Sequence, residues 1–438
     1  MINPELKSVV ATRPIYKLSA YVYKSGNDNW KSDNPYEGED FDLYEQDFYG
    51  GDNTISVEYG GSIIGNAISK TAHLRLVQSE NYSVDDFVDA CLLLEVLLYR
   101  SNGNVGVTVS REYYFVTSAK ENGSSIEIVA SDIMKKADVP YVSELSGNSW
   151  TLLDFLRDAV RQAGMAVSPS LTNPFKNYDF VVTQKPVGYT CRQIIGYIAM
   201  LACGNALSTS KKSPTASIEI SSLSTDEPYN ELSQWISNEP AADVIQITGL
   251  KTTQYYDSSG AELVTPIVHK STSYDPSYVY EFDNPLATGR EAAAITAMSD
   301  IMDLQFVNFR GTHIGYPLAE FGDYAEITHA GGTFSTFLTS INWDISGATE
   351  FACNIASRAD NASVYEEAYR PTGGGGGGGS WDDITDKPFD TLGDSLKVNN
   401  RALEVNSTDD VEQDNTLPIT SSAVYTTIGN IKALLETI

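Results

Sequence analysis

The four histidines, His73, His269, His313 and His329, are scattered along the chain, and none stands in HExxH, HxH or HxxxH spacing. No two imidazoles therefore share a helix or strand face in a way that would hold a metal, and isolated core or surface histidines are the commoner reading. Carboxylates are plentiful. Glu37, Glu39, Asp40 and Asp42, or Asp382 and Asp383, are close enough in sequence to suggest an acid/base pair of the kind that cleaves glycosidic bonds. With 58 acidic residues, such neighbours arise by chance. Asn27 to Gly51 mixes acids with Trp30, Tyr36, Phe41, Tyr44, Phe48 and Tyr49. Rings can stack on sugars and oxygens can bind Ca²⁺, but the DxDxDG spacing is absent, and the reading is a solvated, partner-contacting loop. The tract Gly373 to Gly379 matches GxGxxG trivially, without the lysine or the strand–helix context of a phosphate cradle. There is no GxSxG elbow and no P-loop. The expectation is a protein that is not an enzyme, with no catalytic residue, no cofactor and no metal.

Bulk properties narrow the partners. The chain has 438 residues and a formal charge of −29, and 11% of its residues are aromatic. That length accommodates two or three domains, and the apolar content excludes wholesale disorder. A surface this acidic repels nucleic acid, and only Lys135-Lys136 and Lys211-Lys212 interrupt it, so no sequence-specific nucleic-acid binding is expected. It would suit a channel through which DNA slides without adhering. Cys91, Cys191, Cys203 and Cys353 show no CxxC or CxH spacing and read as free buried thiols of a protein folded in a reducing cytoplasm. Met1 to Lys7 is not the start of a signal peptide. The longest uncharged apolar run, Ile194 to Leu207, is shorter than the roughly 20 residues a spanning helix needs, so stable membrane insertion is not expected.

The elements follow from periodicity. Alternation predicts strands at Leu18 to Tyr23, Thr54 to Ile64, Ala72 to Val77, Asp89 to Tyr99, Val105 to Val109, Glu112 to Ala119 and Ser125 to Ala130, with Asn122-Gly123 as a hairpin turn. Helical spacing appears from Ser149 to Gly164 and from Cys191 to Ala202. Strands return at Val244 to Gly249, Lys251 to Tyr256 and Glu262 to His269. A helix at Arg290 to Asp303 precedes strands at Phe306 to Arg310, Tyr324 to Thr328, Thr333 to Ser340 and Asn342 to Ser346. The fold class is mainly β (α+β): two β-barrel domains with an α/β insert, then a glycine tether and a short coiled-coil helix. The expected boundaries are 1–140, 141–240 and 241–371 for barrel, insert and barrel, 372–380 for the linker, and 381–438 for a distal segment.

Seven consecutive glycines bury nothing and act as a flexible tether. Beyond them a hairpin is expected around Asn399-Asn400, followed by a helix capped by Ser421 or Ser422. Val424, Ile428, Ile431, Leu435 and Ile438 recur at intervals of four, three, four and three, the a/d seam of a coiled coil. Fewer than three heptads are marginal alone, so this helix needs neighbouring copies held close.

Several segments resemble phage tail hub, or baseplate hub, proteins. Arg111-Glu-Tyr-Tyr-Phe-Val-Thr-Ser-Ala-Lys, followed by residues 125 to 138 with their Asp132-x-Met134-x-Lys136 exit, is similar to the family's first barrel. Tyr189-Thr-Cys-Arg-Gln-Ile-Ile-Gly-Tyr-Ile-Ala resembles its "T-x-R-x-x-L-x-x-I-A" helix. Gly315-Tyr-Pro-Leu-Ala-Glu-Phe-Gly-Asp-Tyr-Ala-Glu-Ile and Ser340-Ile-Asn-Trp-Asp-Ile-Ser-Gly resemble the second barrel. Trp381-Asp-Asp-Ile-Thr-Asp-Lys-Pro-Phe and Asp414-Asn-Thr-Leu-Pro-Ile-Thr-Ser-Ser-Ala-Val-Tyr resemble linker and trimerisation segments of tail-tip and fibre proteins.

The resemblance implies a structural hub of a tail tip or baseplate. A homotrimeric ring, two barrels per chain, would adapt a sixfold tube to a threefold tip, closing the tube and anchoring distal parts. Implied partners are the tail tube or distal tail protein, the tape measure protein, and a tail fibre, spike or receptor-binding protein. The implied location is the virion, assembled in the host cytoplasm. Two other readings remain: a carbohydrate-binding adhesin of the tail, and a wall-degrading tail lysin. Many relatives continue into hydrolase, fibre or carbohydrate-binding domains where this sequence has only the short helix, so no lytic activity of its own is expected.

Overall fold

A computed structural model describes residues 15–31, 38–57, 62–99, 107–165, 175–208, 218–223, 225, 230–256, 261–315, 319–329, 331–345, 347–355, 396–399 and 402–405. The chain divides into two compact units, Met1–Arg370 and Pro371–Ile438.

Eleven strands of the first unit form one sheet. Seven come from its N-terminal part: β1 (Ile15–Tyr23), β2 (Phe41–Leu43), β3 (Thr54–Val57), β4 (Lys70–Val77), β5 (Cys91–Tyr99), β6 (Val107–Asn122) and β7 (Ser125–Ser131). Four come from its C-terminal part: β8 (Trp235–Gln246), β9 (Gln305–His313), β10 (Ser340–Asp344) and β11 (Thr349–Cys353). The order is β8-β9-β11-β10-β3-β4-β7-β6-β5-β1-β2. Its hydrogen bonding is open at β8 and β2, so among the described residues the two β regions share one sheet and no ring is closed. The architecture is mainly β, as the alternation predicts.

The two regions join where β10 pairs antiparallel with β3, from Ile341 opposite Val57 to Asp344 opposite Thr54. Ile345 N extends the join by donating to Asn53 O at 3.0 Å. The alternation of β10 sends Ile341 and Trp343 to one face and Asn342 to the other. Trp343 and Ile345 thereby enter the core of the N-terminal region, among Leu18, Ile55 and Ala72. The Trp343 ring meets Tyr16 edge-on, with centroids 5.6 Å apart.

The exchange is reciprocal. Ile63, Ile64 and Ala67, in the turn between β3 and β4, sit in the other large core, which the insert and the C-terminal region share. The strand does not continue to Ile64 as the alternation suggests; it ends at Val57. Residues 65–68 pair instead with the strand Gly204–Ser208: Gly65 N donates to Gly204 O (2.8 Å), Ala206 N to Asn66 O (2.7 Å) and Ile68 N to Ala206 O (2.9 Å). Gly65 has φ +87°, and a Cβ there would meet Met200 Cε at 2.9 Å, so close packing and backbone both demand glycine.

The insert has two helices, α1 (Leu152–Gln162) and α2 (Cys191–Leu201). Both begin with a capping box, Thr151 with Asp154 and Thr190 with Gln193. Gly164, at φ +68°, follows α1 where a stop is expected. The third helix, α3 (Glu291–Ala297), is shorter than its periodicity predicts and passes into a 3₁₀ turn, Ser299–Ile301. In the second unit, Leu396–Asn399 pairs antiparallel with Ala402–Val405, as the expected hairpin requires.

Because Trp343 is the largest side chain carried across the join, Trp343→Ala should lower the unfolding free energy by about 3–5 kcal/mol. Urea titration followed by far-UV circular dichroism checks this, and the whole first unit is expected to lose structure in a single transition.

Candidate functional site

Among the described residues, a groove of about 450 Å³ lies on the outer face of the β10–β3 join. Five strands contribute to its lining: Thr54 and Ser56 from β3, His73 from β4, Ser340 and Asn342 from β10, Glu350 from β11 and Arg310 from β9. These residues share a face because the pleat alternates. Ser56 stands opposite Asn342, Asn342 opposite Glu350, and His73 opposite Thr54. The result is a floor of hydroxyls and amides with an exposed Arg310–Glu350 pair at 3.9 Å. Such a floor offers many weak hydrogen bonds and no concentrated charge, so it suits a polar surface passing over it better than a buried ligand.

A second feature is buried. Lys70 Nζ holds both oxygens of Glu112, at 3.0 and 3.1 Å, and Tyr114 donates its hydroxyl to Glu112 at 3.0 Å. Asp132 follows β7 and is fully buried; one of its oxygens accepts from Ser69 Oγ (2.8 Å) and from Met134 N (3.1 Å). Burial, and then the negative charge of Glu112, push the Asp132 carboxyl up to about 7. Asp132 also caps the turn Ile133–Ala137, where Ile133, Met134 and Ala137 are buried. These groups hold the exit from the N-terminal region into the insert.

The residues singled out in the sequence are not brought together. His73 lies in the groove, His269 is exposed, and His329 stacks edge-on against Phe334 at 5.5 Å. His313 is buried, and that burial lowers it to about 4, so it is neutral at physiological pH. All four cysteines are free and buried, and burial raises each thiol. Asp40 accepts from Lys24 N (2.7 Å) and Asn27 Nδ2 (2.8 Å), so it holds its own turn, while Asp42 accepts from Tyr44 Oη at 3.0 Å. Phe41 stacks on Tyr82 at 5.8 Å and meets Phe87 edge-on, so this ring anchors the loop. Among the loop's described aromatics, Tyr44 is the strongly exposed one. Glu37, Asp382, Asp383, the glycine tract and the heptad positions Val424, Ile428, Ile431, Leu435 and Ile438 lie outside the described residues. Among the described residues, no group of three or more His, Cys, Asp or Glu side chains is placed to hold a metal ion, and no helix is long and apolar enough to cross a membrane.

Sequence reading missed the groove. Its only trace was the polar alternation Thr54-x-Ser56 and Asn342-x-Asp344, and the pairing of those two strands is a long-range fact.

No protein-family model matches the chain, and no curated protein does. Solved structures to which it is similar include phage tail and baseplate proteins, the class the sequence resemblance names, and PdpA-VgrG complexes. The prophage tail protein gp18 from Listeria monocytogenes matches with TM-score 0.44 and 14% identity, over 78% of this chain and 95% of its own. The tail protein of prophage MuSo2 from Shewanella oneidensis matches with TM-score 0.42 and 10% identity, over 77% and 97%. A chain of the phage P2 baseplate, in its activated conformation with Ca, gives TM-score 0.29 and 11% identity, over 76% and 98%.

The raised Asp132 carboxyl makes stability fall with pH. Its folded-state value of about 7 exceeds the unfolded one, so the folded protein binds more protons between about pH 4 and pH 7. Its contribution is complete below pH 4 and is lost as the pH rises through 7, on the order of 4 kcal/mol in all. Asp132→Asn keeps an oxygen to cap Met134 N and should flatten this slope. Urea denaturation at pH 5 and pH 8 checks it, with the variant more stable than the native protein at pH 8.

Proposed function

We propose that this chain is the structural hub of a phage, or phage-like, tail tip or baseplate. Three copies form a ring that closes the tail tube and anchors distal spike, fibre or receptor-binding parts. The observation that carries this reading is the single sheet built from both β regions, with side chains exchanged between their cores. A part that joins a tube to a tip must keep its two halves in fixed register under load. A continuous ladder across β10 and β3 does that, whereas two domains on a hinge would not. In this reading 1–140 and 241–371 are two like barrel modules, and 141–240 braces them.

Three copies then present six modules to a sixfold tube and three ends to a tip. The net charge of −29 suits a passage through which DNA moves without adhering. One side of the ring meets the tail tube or distal tail protein and receives the tape measure protein; the other carries the fibre, spike or receptor-binding protein. The protein works in the virion after assembly in the host cytoplasm. Val424, Ile428, Ile431, Leu435 and Ile438 are its trimerisation seam, and Gly373 to Gly379 let three such helices meet on the axis.

Deleting residues 419–438 tests this division of labour. Particles carrying the truncated chain should lose distal parts in negative-stain images, while the truncated body keeps the native melting temperature. Loss of the folded body, or full retention of the distal parts, would contradict it.

A further inference from the structure

We propose that the outward face of the arm formed by Gly249–Tyr256 and Glu262–Lys270 is a docking surface for a second copy of this chain. This inference rests on the ring reading above and names one of its contacts. The strand Glu262–Lys270 is exposed along nearly its whole length; only Ile267 is half-buried. It is the edge of a three-stranded sheet whose other members are Gly249–Tyr256 and Val279–Glu281. Such an arm gains little from its own core, so its aliphatic composition calls for a partner.

The partner does not add a strand. Lys251 gives its carbonyl to Phe282 N at 2.9 Å, so Lys251 and, two residues on, Thr253 turn their backbone groups toward Val279–Glu281. Their partners across the hairpin, Val268 and Pro266, therefore turn theirs to the free edge. Pro266 has no N–H, so the centre of that edge lacks a donor, a device that blocks strand addition. The contact is made through the face.

On that face Val264 and Val268 flank Pro266 and are 55% and 39% exposed. The opposite face turns Leu250 and Thr252 into the core. A bulge between Gln254 and Tyr256 accompanies Val264 at φ +48°, a conformation uncommon for a β-branched residue. Strain held at an exposed apolar position marks a functional surface.

Charge selects the occupant. The outward face sets Lys251 and Lys270 against Glu281, a surplus of one positive charge, and Lys251 is already paired with Glu281 at 2.8 Å. In a chain of net charge −29 it is a neutral-to-basic island, complementary to the acidic remainder of another copy. The chain also offers an unlike apolar patch: Ile236 (66% exposed) and Ile314 (40%) stand together at one end of the β8–β9 ladder, with Glu239 exposed nearby. Two unlike surfaces on one chain are what a head-to-tail contact, and so a ring, requires.

Sedimentation of the full-length protein over a concentration series tests this, comparing native, Val264→Asp/Val268→Asp and Val142→Asp forms. Val142, a valine on the insert that is 72% exposed, serves as the control. The native protein should be trimeric, and the double variant should associate at least about tenfold more weakly, because docking would bury unpaired carboxylates. At a dilution where both are dissociated its melting temperature should match the native one, and Val142→Asp should behave as native. Should the aspartates unfold the arm, Val264→Asn, which suits the left-handed backbone, gives the same readout. A double variant that associates like the native protein overturns the arm and leaves the ring intact. Equal weakening by Val142→Asp overturns the assignment to this face. A native protein that stays monomeric at every concentration overturns arm and ring together.

Discussion

Everything in the first unit depends on the reciprocal exchange across β10 and β3. Trp343 and Ile345 leave the C-terminal region to complete the N-terminal core, while Ile63, Ile64 and Ala67 make the opposite journey. Neither region can then move without opening a cavity in the other, and protein interiors resist that because their packing density is close to that of crystals. Backbone pairing adds direction to this apolar lock. Asn53, nearly buried, receives Ile345 N on its carbonyl and Arg75 N on its side-chain oxygen, and donates to Tyr49 O. One side chain thereby ties the join to two neighbouring segments. The insert is held the same way, through Asn205, which accepts from Asn66 and donates to Ile63 O.

Three of the segments that resemble the tail hub family, at 111–138, 189–199 and 340–347, lie at these joints, and their described residues have local physical roles. In Asp132-x-Met134-x-Lys136, the aspartate caps a turn, the methionine fills the core and the lysine lies over the Phe115 ring at 4.1 Å. Thr190 caps α2, and Arg192 reaches back to Ala67 O at 2.9 Å and to Asp138, tying the insert to the N-terminal region. Ser340 to Gly347 contains the joining strand itself. A motif at a joint preserves how parts are mounted on one another, which is the property a structural component needs.

Much of the local structure was legible because it is local. Both capping boxes, the Asn122-Gly123 hairpin turn and the burial of the cysteines follow from neighbours in sequence. Long-range pairing was not legible. The alternation of Thr54 to Ile64 looked like one strand, yet after Val57 the chain serves the insert, and nothing nearby signals that Gly65 and Ala67 will meet Gly204 and Ala206. The described residues of the pieces read separately at Val105 to Val109 and Glu112 to Ala119 belong to one strand, β6 (Val107–Asn122). Its register shifts opposite Val96 and Leu97 of β5, and again between Val116 and Ser118 against β7. Two barrels were expected from the strand spacing and the family resemblance; among the described residues the β10–β3 pairing joins the strands of both halves in one sheet. The groove at that join was invisible for the same reason, since its five strands are separated by up to hundreds of residues.

If the exchange makes each chain a single bracket with two like arms, the assembled particle must show it as geometry. A cryo-EM reconstruction of the tail tip, refined without imposed symmetry, measures this directly. The account predicts three copies around the tail axis, each spanning two of six equivalent positions beneath the tube. Six copies at one position each, or a single copy off the axis, would contradict it.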